Sequence, residues 1–174
     1  MALYYHFKNK DEVLDSMIDL VFSEIALPPS GADWKTALRQ RSISAREALA
    51  RHPWAIGLME SRTNPGPANL RHHDLMLGSL REAGFSIAMA TNAYMLLDSY
   101  IHGFALEHTN VPLGHSKAAA DVARRMLEAS SDSEYRNLAA MLQHASETDD
   151  QHRGEFEFGL DLILDALEGF RTAA

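Results

Sequence analysis

The feature that most restricts this chain is the stretch Ile87–His108, IAMATNAYMLLDSYIHGFALEH, which would be apolar on most sides of a helix. Such a segment is stable only when other elements cover it nearly all round, so it predicts the buried centre of a helical bundle. It is no membrane span, because no apolar run in the chain approaches the ~20 residues that a bilayer requires. Around it the apolar residues recur at helical spacing, and nothing alternates long enough to make a strand.

The breaks between helices are equally legible. A first helix is expected from Lys10 to Ala26, capped by Asn9 and stopped by Pro28-Pro29-Ser30-Gly31. A second runs from the cap Asp33 to Arg51, where His52-Pro53 ends it, and Trp54–Ser61 reads as a short third. After the turn Thr63-Asn64-Pro65-Gly66-Pro67 a helix spans Ala68–Glu82, with Gly84 as its C-terminal stop and Ser86 capping the long helix. Asn110–Ser116 is a loop, and Lys117–Ala129 and Glu134–His144 are short helical candidates. Ser146–Arg153 is a polar tract and Phe156–Phe170 a strong terminal helix. The fold class is therefore all-α.

Composition narrows the function. A net charge of −8 argues against nucleic-acid binding by the chain as a whole, which needs clustered Lys and Arg. The absence of cysteine removes disulfides and thiolate metal sites, and suits a cytoplasmic setting. Nine histidines raise a metal-enzyme reading, but His72-His73 point about 100° apart on a helix and His102–Glu107 are five apart. There is no HExxH, no pair of ExxH motifs, no GxSxG and no phosphate-cradling glycine loop, so no catalytic site is assigned.

Two helices, Ile87–His108 and Phe156–Phe170, carry more apolar surface than one small bundle needs. Both hold small residues that permit close approach, and such a face usually pairs with a copy of itself. Gly103, Ala105, Phe156, Gly159, Leu160, Ile163 and Leu167 are the expected dimer contacts. On the long helix Tyr94, Asp98 and Ile101, with His102 adjoining, share roughly one face and could line a cavity of mixed polarity. For Asp98 the competing reading is an ion pair with an arginine of a neighbouring helix. For His102 it is a core or interface histidine.

The opening residues, MALYYHFKNKDEV, form an aromatic cluster, a polar turn and a capped helix start. Their order resembles the end of the recognition helix and the start of the next helix in tetracycline-repressor-type (TetR) regulators. Gly84-Phe85-Ser86, Leu106-Glu107 and Phe156–Ile163 (FEFGLDLI) extend the likeness along the chain. The resemblance implies a remnant of the helix-turn-helix domain over residues 1–9, with the rest of that head absent, and a ligand-binding and dimerisation domain over 10–174. It further implies a homodimer, an effector pocket in each subunit, and operator DNA as a partner when the head is present.

By the same resemblance Tyr4, Tyr5, His6 and Lys10 lie at the DNA backbone, although Tyr5 also reads as a core residue. Thr63 falls at a ligand-contacting Thr and Glu107 at a Glu that reaches a drug-bound Mg²⁺ through water. Glu60 stands where the tetracycline repressor has its metal-binding His, and a carboxylate also suits Mg²⁺. The expected effector set is thus Trp54, Met59, Glu60, Thr63, Tyr94, Asp98, Ile101, His102 and Glu107. No cofactor is required, and Mg²⁺ would come with the effector. The rival reading is a helical binding or scaffold module without a DNA role, for which the aromatic junction is only a packed turn.

Overall fold

The computed structural model describes residues 7–29, 31–62, 64–110, 125, 135–147 and 152–171, with residues 60, 109, 110, 142–147, 152 and 153 described by backbone alone. All regular elements among them are α-helices: α1 (Lys10–Ser23), α2 (Trp34–Arg51), α3 (Pro53–Glu60), α4 (Pro67–Glu82), α5 (Ile87–Asn110), α6 (Arg136–Glu147) and α7 (His152–Arg171). Among the described residues no helix is long and apolar enough to cross a membrane.

The caps follow from the sequence. The Asn9 side-chain oxygen accepts from the Glu12 amide at 2.8 Å, and Asp33 accepts from the amides of Lys35 and Thr36 at 3.1 and 3.0 Å. Helix α4 ends in a Schellman arrangement: the Phe85 amide donates to the Leu80 carbonyl and the Gly84 amide to that of Arg81. Gly84 sits at φ 96°, a conformation that a side chain would oppose. Ser86 opens α5 by accepting from the Met89 amide at 3.2 Å.

Some boundaries differ from expectation. Helix α1 stops at Ser23 rather than Ala26, because Glu24 is drawn to Arg51 and His52 at the far end of α2. The Ala26 amide then donates to the Ser44 hydroxyl at 2.8 Å. Helix α7 begins at His152, inside the tract Ser146–Arg153 read as polar and placed before the terminal helix. The segment 117–129 lies outside the described residues apart from Arg125.

Helix α2 is the hub, packed against α1, α3, α4, α5 and α7. Its Ala37, Leu38, Ala45, Ala48 and Leu49 are buried. Helix α7 contributes Phe156, Leu160, Leu164 and Leu167, at spacings of four, four and three, to the same core. Each such side chain is worth about 1.5–3 kcal/mol of burial. At its edge Arg39 of α2 holds Asp161 and Glu157 of α7, both at 2.8 Å.

Helix α5 departs from the expectation of burial all round. Ala90, Ala93, Tyr94, Leu97, Ile101 and Ala105 face the core, but Ile87, Met95, Leu96 and Leu106 are exposed. One chain supplies neighbours for one side of α5 only. Beside this bare face runs another on α7, where Phe158, Leu162, Ala166 and Phe170 recur every four residues and all stand exposed.

Candidate functional site

Between α1, α4, α5 and the connection from α3 to α4 lies a half-open cavity of about 190 Å³. Its apolar wall comes from Ile18, Phe22, Met59 and Pro65, and its polar wall from Asp15, Arg62, Asn64, Asn69, His73, Asp98 and His102. Helix α1 supplies one side because Asp15, Ile18 and Phe22 lie three and four residues apart and share a face.

The floor is a charged cluster. Arg41 of α2, only 2% exposed, pairs with Asp98 of α5 at 3.5 Å. One turn on, the His102 Nδ1 stands 3.3 Å from the Asp98 carboxylate and 2.9 Å from its carbonyl. Burial pushes the Asp98 carboxyl up, but the His102 hydrogen bond and the charges of His102 and Arg41 outweigh it and hold it below the usual carboxylate range. The same hydrogen bond raises His102 above an ordinary imidazole against the cost of its burial. Behind the cluster the Tyr94 hydroxyl is buried without a direct hydrogen bond, and burial, then the Asp98 charge, raises it. The Tyr94 ring packs on His73 at 4.4 Å between centroids.

The rim is held to α1 by an acidic ladder. Asp11, Asp15 and Asp19 fall four residues apart and so line one face of α1. The Arg62 Nε donates to Asp15 at 2.5 Å and its Nη1 to Asp11 at 2.9 Å, with Nη2 reaching the Asp11 carbonyl at 3.3 Å. Asp19 accepts from the amides of Ala68 and Asn69 at 3.2 and 3.0 Å, and thereby caps α4, which has no side-chain cap of its own. Gly66 is required at that junction, since a Cβ there would collide with the Asp19 carboxylate.

Of the residues expected at an effector site, Met59, Asp98 and His102 line this cavity, and Tyr94 backs its floor. Both readings of Asp98 hold at once, because it pairs with Arg41 and also faces the cavity. Trp54, Ile101 and Glu107 stand away from the lining. Trp54 is exposed and stands edge-on to His52, since α3 turns that side outward. Ile101 is sealed in the hydrophobic core. Glu107 is exposed and absent from the lining, two turns along α5 from Asp98. Thr63 and the Glu60 side chain lie outside the described residues, as do Tyr4, Tyr5 and His6, while Lys10 is exposed at the first turn of α1. Sequence reasoning passed over Asp15, Arg62, Asn69 and His73. The four-residue spacing of Asp11, Asp15 and Asp19 was the available signal.

The dimer expectation also changes in detail. Phe156, Leu160 and Leu167 point into the subunit's own core, and Ala105 is buried against it. Ile163 packs against that core, half-buried. Gly159 admits the Tyr100 side chain, whose hydroxyl donates to the Phe156 carbonyl at 3.0 Å. Gly103 alone of the set faces out with open space around it. A terminal helix presents opposite faces inward and outward, and the outward one here is Phe158, Leu162, Ala166 and Phe170.

The chain is thus an all-α domain with a half-open cavity of mixed polarity, the usual form of a small-molecule site, and a bare apolar two-helix face. The family described as "Tetracyclin repressor-like, C-terminal domain" matches residues 27–170. The class A tetracycline repressor protein of Escherichia coli, from transposon 1721, is 30% identical over 171 residues, covering 95% of this chain and 74% of that protein. An HTH-type transcriptional regulator of Saccharopolyspora erythraea is 35% identical over 103 residues, which span 59% of this chain and less than half, 44%, of that protein. A crystal structure of a possible TetR family transcriptional regulator from Streptomyces coelicolor A3(2) superposes with a TM-score of 0.76 at 30% identity, over 97% of this chain and 82% of that one. The chain belongs to the tetracycline repressor family of transcriptional regulators and carries that family's C-terminal domain.

Proposed function

We propose that this chain is the effector-binding and dimerisation part of a cytoplasmic repressor, which holds operator DNA as a homodimer and releases it when a small molecule occupies the cavity beside α1. The observation that carries the reading is that α1, the helix next to residues 1–9, is both a wall of the cavity and the partner of its rim. A ligand that moves the α3–α4 connection therefore moves α1 with it. The shift would carry two DNA-reading heads out of register with half-sites ~34–36 Å apart. Coupling of this kind is typically ~1–3 kcal/mol and reciprocal, so operator DNA would weaken effector binding by the same factor.

Pairing of two subunits is supported by the exposed apolar stripes of α5 and α7. The DNA-backbone role of Tyr4, Tyr5, His6 and Lys10 belongs to the same proposal. Mg²⁺ enters the proposal only as a companion of the effector: Glu107 stands exposed away from the lining, and the Glu60 side chain lies outside the described residues. The test is operator-DNA anisotropy with the chain preceded by a complete helix-turn-helix head. Compounds that raise the melting temperature of the domain should release the DNA. Hits that stabilise the domain while leaving DNA bound contradict the reading.

A further inference from the structure

The cavity wall is asymmetric in what it still offers. Both of its carboxylates already hold cations: Asp15 holds Arg62, and Asp98 holds Arg41 and His102. A cationic ligand would have to displace a guanidinium or imidazolium to gain a partner. Arg62 has five N–H donors and spends three of them on Asp15 and Asp11, so two remain on a side chain that lines the cavity. His102, with Nδ1 turned to Asp98, retains Nε2 as a second donor when protonated. On the same wall the Asn69 side-chain oxygen is buried with no hydrogen-bond partner, a vacancy for a donor. Ile18, Phe22, Met59 and Pro65 make the rest of the lining apolar. An apolar cavity of about 150 Å³ takes one benzene ring, so 190 Å³ suits one ring with substituents.

Resting on the reading of this cavity as the effector site, we infer that Arg62 is its specificity-determining residue and selects small aromatic acids. The ligand's anionic oxygens take the free Arg62 donors in competition with Asp15, and a ring hydroxyl satisfies Asn69. A guanidinium shared with a ligand carboxylate grips Asp15 less firmly, so the bond that ties the rim to α1 weakens as the ligand binds. Ligand selection and the release of α1 then reside in one side chain.

The experiment is calorimetric titration of the full chain with benzoate, salicylate, benzyl alcohol and benzylamine. Benzoate should bind, salicylate more tightly, benzyl alcohol weakly and benzylamine not at all. Arg62→Gln should weaken benzoate at least tenfold. Asp15→Asn should tighten it severalfold, because Arg62 loses its competitor, whereas a purely structural ion pair predicts no gain. Asn69→Ala should erase the advantage of salicylate over benzoate. Thermal melts show whether each variant is folded, and Asp15→Asn decides the matter if Arg62→Gln is not. Failure of benzoate to bind, benzylamine binding as tightly as benzoate, or weaker benzoate binding by Asp15→Asn overturns the inference. A cation that releases operator DNA would overturn it too, while leaving the function proposed above in place.

Discussion

At the scale of single residues, the junction of α1 with α4 turns on the fit between Gly66 and Asp19. The Gly66 backbone, at φ −78° and ψ 172°, is open to any residue, so it is the Asp19 side chain, its own Cβ included, that excludes a Cβ. Gly66→Ala should therefore cost about 1 kcal/mol, the worth of a helix cap. In an Asp19→Gly background, which removes that Cβ as well, the same substitution should cost less than in the wild type. Urea unfolding of the four proteins of this cycle checks the difference. The His102–Asp98 pair predicts a pH effect. The folded His102 holds its proton above the ordinary value of 6.5. Its contribution is thus complete below pH 6.5 and fades as pH rises through the raised value. His72, buried and lowered by that burial, acts oppositely, and its contribution fades only as pH falls below 6.5. Wild type should lose stability as pH climbs from 6.5, and His102→Gln should lose less over the same interval.

At the scale of elements, the helices were legible because each carries its own punctuation: Asn9, Asp33 and Ser86 at starts, Pro53 and Pro67 in first turns, Gly84 at an end. Which face of a helix points where was less legible. In α7 the apolar residues cover both sides, and periodicity alone cannot tell Phe156, sealed in the core, from Phe158, 68% exposed. The polar cavity wall was half legible. Asp98 and His102 stand out against an apolar helix, whereas Arg62 sits in a loop whose partners on α1 are 47 and 51 positions away. Such long-range pairing leaves no periodic trace around Arg62 itself, and only the four-residue spacing of its acidic partners on α1 was visible. The two faces of α7 make separate predictions. Phe156→Ala removes a ring stacked on Tyr100 and should cost about 3–5 kcal/mol by thermal or urea unfolding. Leu162→Glu alters an exposed position and should leave the melting of an isolated subunit within about 0.5 kcal/mol.

At the scale of the whole molecule, the bare stripes of α5 and α7 and the cavity belong to one design. Pairing through those stripes would fix two copies of the cavity and two copies of α1 relative to one another. Phe158→Glu with Leu162→Glu should turn a dimer into a monomer in sedimentation equilibrium, since buried like charges would face each other across the two-fold axis. The chain contains no cysteine, so a single Glu12→Cys places one spin label on each α1 of a pair. The inter-subunit label distance, measured by pulsed dipolar spectroscopy with and without a saturating cavity ligand, addresses the coupling itself. A well-defined distance that shifts on ligand binding is the expected result. No dipolar signal, or the same distance with the cavity filled, would contradict the account.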